Sequence, residues 1–141
     1  MATPERVRVV HVFSSDPQTV FEKLAEHENL GPVFDAKITR VKDGDTSRNG
    51  AGSVRQVKIG PLPAFEETTT KAEPNSLIEY RISRGGVLRG HWGRQELSPT
   101  AEGGTRLVYT IGFDSKIPGT SGMIAKTLTK AITQGLPRLT D

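Results

Sequence analysis

Hydrophobic and polar residues alternate along most of the chain in short runs that are typical of β-strands. These runs are rich in β-branched residues and predict seven strands, over residues 6–13, 36–42, 53–59, 65–72, 77–83, 87–97 and 105–113. Glycine, proline, asparagine and aspartate residues separate the last six runs. Strands that follow one another through short turns form an antiparallel meander rather than parallel crossover units.

Helical spacing of apolar residues occurs in two regions. After the first strand, Ser15 or Asp16 is suited to cap a helix that begins near Pro17, and a second short helical turn is expected around residues 26–30. A longer amphipathic helix is predicted near the C-terminus, and Pro137 should bend or fray its last turn. One side of this helix carries Ile124, Ala125, Leu128, Ala131, Ile132, Leu136 and Leu139. Gly135 lies near the centre of that side, which predicts open space between the helix and the sheet.

Length and composition restrict the class of protein. The 141 residues (15.3 kDa) predict a single domain over 1–141. Only 34% of them are hydrophobic, which favours thin layers of secondary structure with one solvent-exposed face. The absence of cysteine excludes disulfides, thiol catalysis and cysteine-ligated metal. No apolar run approaches the ~20 residues of a membrane span, so we expect a cytoplasmic protein without a secretory signal or stable membrane insertion.

The charge is mildly basic and unevenly distributed. Nineteen basic and sixteen acidic residues give a net charge of +3, and residues 81–95 and 115–140 contain basic residues but no acidic ones. These segments are interpreted either as solvated basic faces or as surfaces that attract an anionic ligand or an acidic partner. The excess is too small to predict a nucleic-acid partner.

Four local motifs occur in an order that resembles a known superfamily. They are FSSDPQTVF (13–21), GAGSVR (50–55), the segment 67–80 with its Glu-Pro and terminal Ile-x-Tyr, and LSP followed by GGTRL within 97–107. Together with the order of strands and helices, they resemble the START-related lipid-transfer domains, the birch-pollen-allergen family and the bacterial polyketide cyclase/dehydrase family.

The resemblance implies an α+β helix-grip fold. In this fold a seven-stranded curved antiparallel sheet wraps around the long C-terminal helix, with two short helices between strands 1 and 2. It also implies a cavity for a small hydrophobic molecule such as a lipid, a polyketide or a related aromatic compound. Some members of the superfamily are enzymes, so the resemblance does not itself separate binding from catalysis.

The hairpin around residues 85–86 determines which side chains face that cavity. A two-residue loop would place Tyr80 opposite His91 and Ile82 opposite Arg89, so that Arg89, His91 and Gln95 point inward. An inward arginine and histidine are costly in a dry core but suit a wet cavity or an acidic ligand group.

Two alternatives remain open for this hairpin. A three-residue loop would place Trp92 opposite Tyr80 and send Arg89 and His91 to solvent. A bulge near Gly90 or Gly93 would also change which side chains point inward.

The candidate ligand-binding residues combine this face with the facing strand and helix. They are Tyr80, Ile82, Arg89, His91, Gln95, Tyr109, Ile111, Leu128 and Ile132. The first hypothesis is a binding or carrier protein for a small hydrophobic molecule.

The alternative is a polyketide cyclase/dehydratase-like enzyme that acts in the same cavity. There His91 would serve as general acid or base, Arg89 would stabilise an enolate, and Tyr109 or Tyr80 would donate a hydrogen bond. A third, weaker hypothesis is a protein-interaction module that uses the basic helix and hairpin.

Other conspicuous residues are given structural roles. His11 is expected to be a satisfied core residue, Arg55 to pair with a neighbouring acid, and Trp92 to be a core anchor or a cavity wall. Residues 61–63 (Pro-Leu-Pro) form a stiff hairpin tip, which in this fold can guard a cavity mouth. Glu66 and Glu67 point to opposite faces and cannot share a proton.

The remaining motifs argue against several chemistries. The chain has no phosphate-binding glycine loop with lysine and no G-x-S-x-G elbow, and its three histidines are too dispersed for a recognisable metal site. We therefore expect no metal and no cofactor. The expected partner is a small hydrophobic molecule, and the protein is expected to be a monomer or a homodimer.

Overall fold

Seven antiparallel strands and three α-helices make up the computed structural model, which describes residues 3–140. The strands are β1 (Glu5–Phe13), β2 (Lys37–Lys42), β3 (Val54–Lys58), β4 (Phe65–Glu73), β5 (Leu77–Gly85), β6 (Leu88–Pro99) and β7 (Thr105–Ser115). The helices are α1 (Pro17–Ala25), α2 (Gly31–Phe34) and α3 (Ser121–Gly135), with 3₁₀ turns at His27–Leu30 and Leu136–Arg138. The predicted α+β helix-grip architecture is confirmed, and the predicted strand ends lie within two residues of those observed.

The strands form one curved sheet in the order β1-β7-β6-β5-β4-β3-β2. The meander accounts for six neighbouring strands, while β1 pairs with β7 and so joins the first strand to the last. Alternate residues of β7, including Leu107, Tyr109, Ile111 and Phe113, are buried on the concave face. This face is the inner wall against which the helices pack.

The predicted helix start after β1 has the expected cap. The Asp16 carboxylate accepts a hydrogen bond from the Thr19 amide at 2.8 Å, and Pro17 occupies the first turn of α1. Val20 and Leu24 then bury one side of the helix. A 3₁₀ turn and α2 follow, and they bring the chain across one end of the sheet toward α3.

Helix α3 packs tightly only along its C-terminal half. Ile132 and Gly135 are buried, whereas Met123 in the first turn is 66% exposed. The helix ends at Gly135, and the 3₁₀ turn that contains Pro137 follows, as the proline predicted. The first half of α3 therefore stands away from the sheet.

Gly135 has a different role from the one predicted. A β-carbon at Gly135 would lie 2.6 Å from the Val33 Cα and 2.8 Å from the Val33 carbonyl oxygen. The glycine thus permits a close approach of α3 to α2 rather than leaving open space. The open space lies toward the other end of α3.

The β5–β6 hairpin has neither of the two predicted loop registers. Tyr80 pairs with Gly93 and Ile78 with Gln95, a shift of two residues from the two-residue loop. Because a shift of two preserves the alternation of side chains, His91 and Gln95 are still buried on the inner face. Gly93 fits this register because a β-carbon there would collide with the Tyr80 ring.

The bulge that was considered near Gly90 is present, and it corrects the prediction for Arg89. The pairing of β6 with β7 shifts between Arg89 and Trp92, so β6 contains one extra residue there. Beyond the bulge, Leu88 pairs with Ser115 on the inner face. Arg89 is consequently exposed on the outer face, opposite Asp114.

Candidate ligand-binding cavity

An apolar cavity of about 390 Å³ lies between the inner face of the sheet and the first half of α3. The sheet contributes Val57, Ile82 and Ile111 to its wall, and α3 contributes Ile124 and Leu128. The cavity exists because α3 diverges from the sheet toward its N-terminus and its side chains do not reach the opposite wall.

The cavity opens to solvent between the β3–β4 connection and the start of α3. Leu62, Ile117 and Met123 line it and are 48%, 51% and 66% exposed, which identifies them as the rim of its mouth. Pro63 lies beside Leu62 in the same wall. The Pro-Leu-Pro tip therefore lies at the mouth, where the sequence interpretation had placed a guarding segment.

A buried ion pair lies beneath the polar end of the cavity. Arg55 on β3 donates to the Glu67 carboxylate at 3.2 Å and to the Thr69 hydroxyl at 2.6 Å, and the exposed fraction of its side chain is only 3%. Its guanidinium carbon lies 4.9 Å from the centre of the Tyr80 ring, which covers it. Arg55 thus has the predicted role of pairing with a neighbouring acid.

Glu67 belongs both to this ion pair and to the cavity wall. The exposed fraction of its side chain is 14%, and burial raises the pKa of its carboxyl group, while the positive charge of Arg55 opposes that rise. Its charge is therefore balanced by Arg55 rather than by solvent.

Two tyrosines form the next layer of the polar end. The hydroxyl groups of Tyr80 on β5 and Tyr109 on β7 are hydrogen-bonded to each other. Tyr80 lines the cavity, whereas Tyr109 is fully buried beneath it. Burial raises the pKa of both phenols, so both are neutral at neutral pH.

His91 presents its imidazole to the cavity from the bulged part of β6. Its Nδ1 accepts a hydrogen bond from the Ile82 amide at 3.0 Å, in a stretch of β5 where the ladder with β6 has ended. Burial, followed by the positive charge of Arg55, lowers the pKa of His91 to about 4. The ring is therefore neutral at neutral pH.

His27 faces the same cavity from the 3₁₀ turn. Its Nδ1 lies 3.0 Å from the Ala25 carbonyl oxygen, and its Nε2 is buried with no partner among residues 3–140. Arg40 on β2 holds the turn in place because it donates to Glu26 at 2.8 Å and to Glu28 at 3.1 Å, on either side of His27. Burial is the main cause that lowers the pKa of His27 well below its ordinary value.

Comparison with known protein families identifies the family of this chain. The family described as polyketide cyclase / dehydrase and lipid transport matches residues 4–141. The chain belongs to this family. No curated protein matches the chain.

Solved structures similar to this family member share its fold at low sequence identity. A START superfamily protein from Mycobacterium smegmatis has a TM-score of 0.75 at 14% identity, covering 94% of this chain and 92% of that one. TTHA0849 from Thermus thermophilus has a TM-score of 0.70 at 20% identity, covering 96% and 91%. The ZhuI aromatase/cyclase from Streptomyces sp. R1128 has a TM-score of 0.65 at 17% identity, covering 94% and 84%. At these identities the likeness establishes the fold alone.

In this polyketide cyclase/dehydrase and lipid-transport family member, the predicted site residues occupy three kinds of position. The cavity wall contains Tyr80, Ile82, His91, Ile111 and Leu128. The fully buried layer behind it contains Gln95, Tyr109 and Ile132. Arg89 is exposed on the outer face and lies outside the wall because of the bulge.

The remaining predictions concern side chains away from the cavity. His11 is half-buried, with its ring centre 4.6 Å from that of Phe13, and Trp92 donates from the sheet's outer face to the Thr3 carbonyl. Within residues 3–140, no group of histidine and acidic side chains is placed to hold a metal ion. In the same part of the chain, every helix is too short or too polar to cross a membrane.

His27 is one of the cavity residues that the sequence interpretation missed. It follows Leu24 by three residues and Val20 by seven, so it continues the apolar side of α1 at helical spacing. That spacing was the available signal. The change from α-helix to 3₁₀ turn, which aims the ring at Tyr80 with 5.8 Å between ring centres, was not visible in it.

Proposed function

We propose that this protein binds one small, largely apolar molecule in the cavity between the sheet and α3. The observation that carries the proposal is the cavity itself, which has a volume of about 390 Å³, apolar walls and an open mouth. This volume falls within the ~300–1,000 Å³ typical of small-molecule sites. A lipid chain, a polyketide or a related aromatic compound fits these walls.

Binding is favoured over cyclase or dehydratase chemistry by the placement of the candidate catalytic groups. Arg89 is on the outer face, and Tyr109 lies behind Tyr80, so neither reaches a molecule in the cavity. His91 does reach it, but a pKa of about 4 makes it a weak base and leaves it without an acidic proton at neutral pH. Of the groups in the catalytic hypothesis, His91 and the alternative donor Tyr80 line the cavity, whereas Arg89 and Tyr109 do not.

Fluorescence of N-phenyl-1-naphthylamine, a neutral apolar dye, tests the proposal. The wild-type protein should bind one dye molecule per chain with a rise in emission. Ala131→Trp, on the cavity wall, should reduce dye affinity by about tenfold or more because the indole occupies the site. Thr133→Trp, on the exposed side of the same helix, is the matched control and should bind like the wild type.

Leu128→Trp provides a second obstruction of the same cavity in case Ala131→Trp does not fold. Circular dichroism establishes which variants are folded. Failure of the wild type to bind the dye, or equal binding by a folded cavity variant and the Thr133→Trp control, would overturn the proposal.

A further inference from the structure

The hydrogen bonds of His27 define which of its ring nitrogens carries the proton. Nδ1 lies 3.0 Å from the Ala25 carbonyl oxygen, and a carbonyl oxygen can only accept, so Nδ1 must donate. A neutral imidazole then has an unprotonated Nε2, which is an acceptor. Since His27 is 5% exposed and its Nε2 has no partner within residues 3–140, a buried acceptor is left unpaired at the cavity wall.

His91 has the opposite arrangement. The Ile82 amide donates to its Nδ1 at 3.0 Å, so Nδ1 carries the lone pair and the proton of the neutral ring is on Nε2. No other hydrogen bond of this side chain is present in the described part of the molecule. His91 is 9% exposed, and it therefore offers a donor to whatever occupies the cavity.

The two rings are close enough to act on one molecule. Tyr80 lies between them, with its ring centre 5.8 Å from that of His27 and 5.6 Å from that of His91. All three side chains line the same cavity, whose remaining wall is largely apolar and contains Glu67, Thr120 and Thr127 as its other polar residues. The two histidine rings therefore offer one acceptor and one donor on either side of a phenol.

The charges near this end disfavour an anionic ligand. Arg55 is paired with Glu67 and covered by the Tyr80 ring, and its guanidinium group does not line the cavity. The acid Glu67, by contrast, lines the wall. A ligand carboxylate would lose its hydration beside the Glu67 carboxyl group and would find no cationic side chain in the wall to pair with.

We propose that the ligand is a neutral, largely apolar molecule with a hydroxyl group that donates to His27 Nε2 and a carbonyl oxygen that accepts from His91 Nε2–H. This inference rests on the proposed function and specifies the ligand class of the same cavity. It excludes free fatty acids and aromatic carboxylates as preferred ligands.

Three related naphthalenes test the ligand class by titration calorimetry at neutral pH. The first, 6-acetyl-2-naphthol, carries both groups; 2-acetylnaphthalene lacks the hydroxyl; and 6-hydroxy-2-naphthoate replaces the ketone with a carboxylate. The first compound should bind about tenfold more tightly than the second, because it pairs the buried acceptor, and more tightly than the third by at least the same factor.

Variants assign these preferences to individual rings. His27→Phe should abolish the advantage of 6-acetyl-2-naphthol over 2-acetylnaphthalene when both compounds are measured on that variant. A fourth compound, 2-naphthol, lacks the ketone and should bind the wild type more weakly than 6-acetyl-2-naphthol. His91→Phe should abolish that difference. The matched control is His11→Phe, which removes the histidine outside the cavity and should preserve every ratio.

The ratios of the wild-type affinities for the naphthalenes, together with the histidine tautomers, test the inference even if a variant does not fold. Nitrogen-15 NMR of the imidazoles should show the proton on Nδ1 of His27 and on Nε2 of His91. Equal binding of the ketone and the carboxylate, a folded His27→Phe variant that keeps the hydroxyl preference, or identical tautomers would overturn the inference. If the dye and 2-acetylnaphthalene bind, but the protein does not prefer 6-acetyl-2-naphthol to the other naphthalenes, this inference fails and the proposed function stands. If neither the dye nor 2-acetylnaphthalene binds, the proposed function itself fails.

Discussion

The buried, neutral state of His91 predicts that acid destabilises the fold through this side chain. Its pKa is about 4 in the folded protein against an ordinary value of 6.5. The folded state therefore takes up fewer protons than the unfolded chain, so the contribution is fully present above pH 6.5 and is lost as the pH falls toward 4. Between pH 7.5 and pH 4.5, this single group should cost about 2–3 kcal/mol of the free energy of unfolding.

Urea denaturation at these two pH values measures the effect. The quantity of interest is the difference in unfolding free energy between pH 7.5 and pH 4.5, compared between the wild type and His91→Phe. The variant loses the acceptor for the Ile82 amide, but that loss is the same at both pH values and cancels in the difference. The difference should be about 2–3 kcal/mol smaller in the variant.

Ile82→Val, a change in the same cavity wall that removes no titratable group, is the control, and its difference should match that of the wild type. An equal pH difference in His91→Phe and the wild type would refute the reasoning. It would mean that the His91 ring is either hydrated or already charged in the folded protein.

Two further predictions concern the packing around the cavity. Arg55→Met should lower the free energy of unfolding in urea by about 3–5 kcal/mol, because it leaves Glu67 without its counter-ion. Arg55→Met combined with Glu67→Leu should recover most of that loss. An Arg55→Met variant as stable as the wild type would contradict this prediction. Gly135→Ala should lower the free energy of unfolding by about 1–3 kcal/mol, because its β-carbon would collide with the Val33 backbone. The control Gly122→Ala has open space around its β-carbon and should be neutral or stabilising in the same thermal or urea unfolding experiment. Equal effects of the two substitutions would argue against the close contact between α3 and α2.

The order of elements was predictable from the sequence because each strand is bounded by its own turn residues. The alternation of Leu107, Tyr109, Ile111 and Phe113 identifies the inner face of β7 without any knowledge of its neighbours. The start of α1 was equally local, since Asp16 and Pro17 act within one turn. Such signals depend only on residues that are close in the sequence, so they can be recognised from the sequence alone.

The features that escaped prediction depend on contacts between distant segments. The inward prediction for Arg89 was wrong because a bulge adds one residue to β6, and the pairing with β7 determines where that residue is accommodated. Gly135 was interpreted as leaving space, but its neighbour is Val33, about a hundred residues earlier in the chain. Neither contact leaves a local pattern.

The composition of the site was therefore only partly accessible. Tyr80, Ile82 and His91 were found because strand alternation was preserved despite the shifted register. His27 was missed because its orientation depends on the Arg40 ion pairs that hold the 3₁₀ turn against β2. Of the two cavity histidines, strand alternation thus indicates His91 but not His27.

Intermolecular nuclear Overhauser effects between 6-acetyl-2-naphthol and methyl groups of the protein test the central claim most directly. If the ligand binds between the sheet and α3, its ring protons should show strong nuclear Overhauser effects with the methyl groups of Ile82 and Leu128 in the cavity wall. Val10 and Val12, which are 47% and 59% exposed on β1, should give none. Effects confined to these exposed valines, or absent from every cavity methyl at saturating ligand, would contradict the claim.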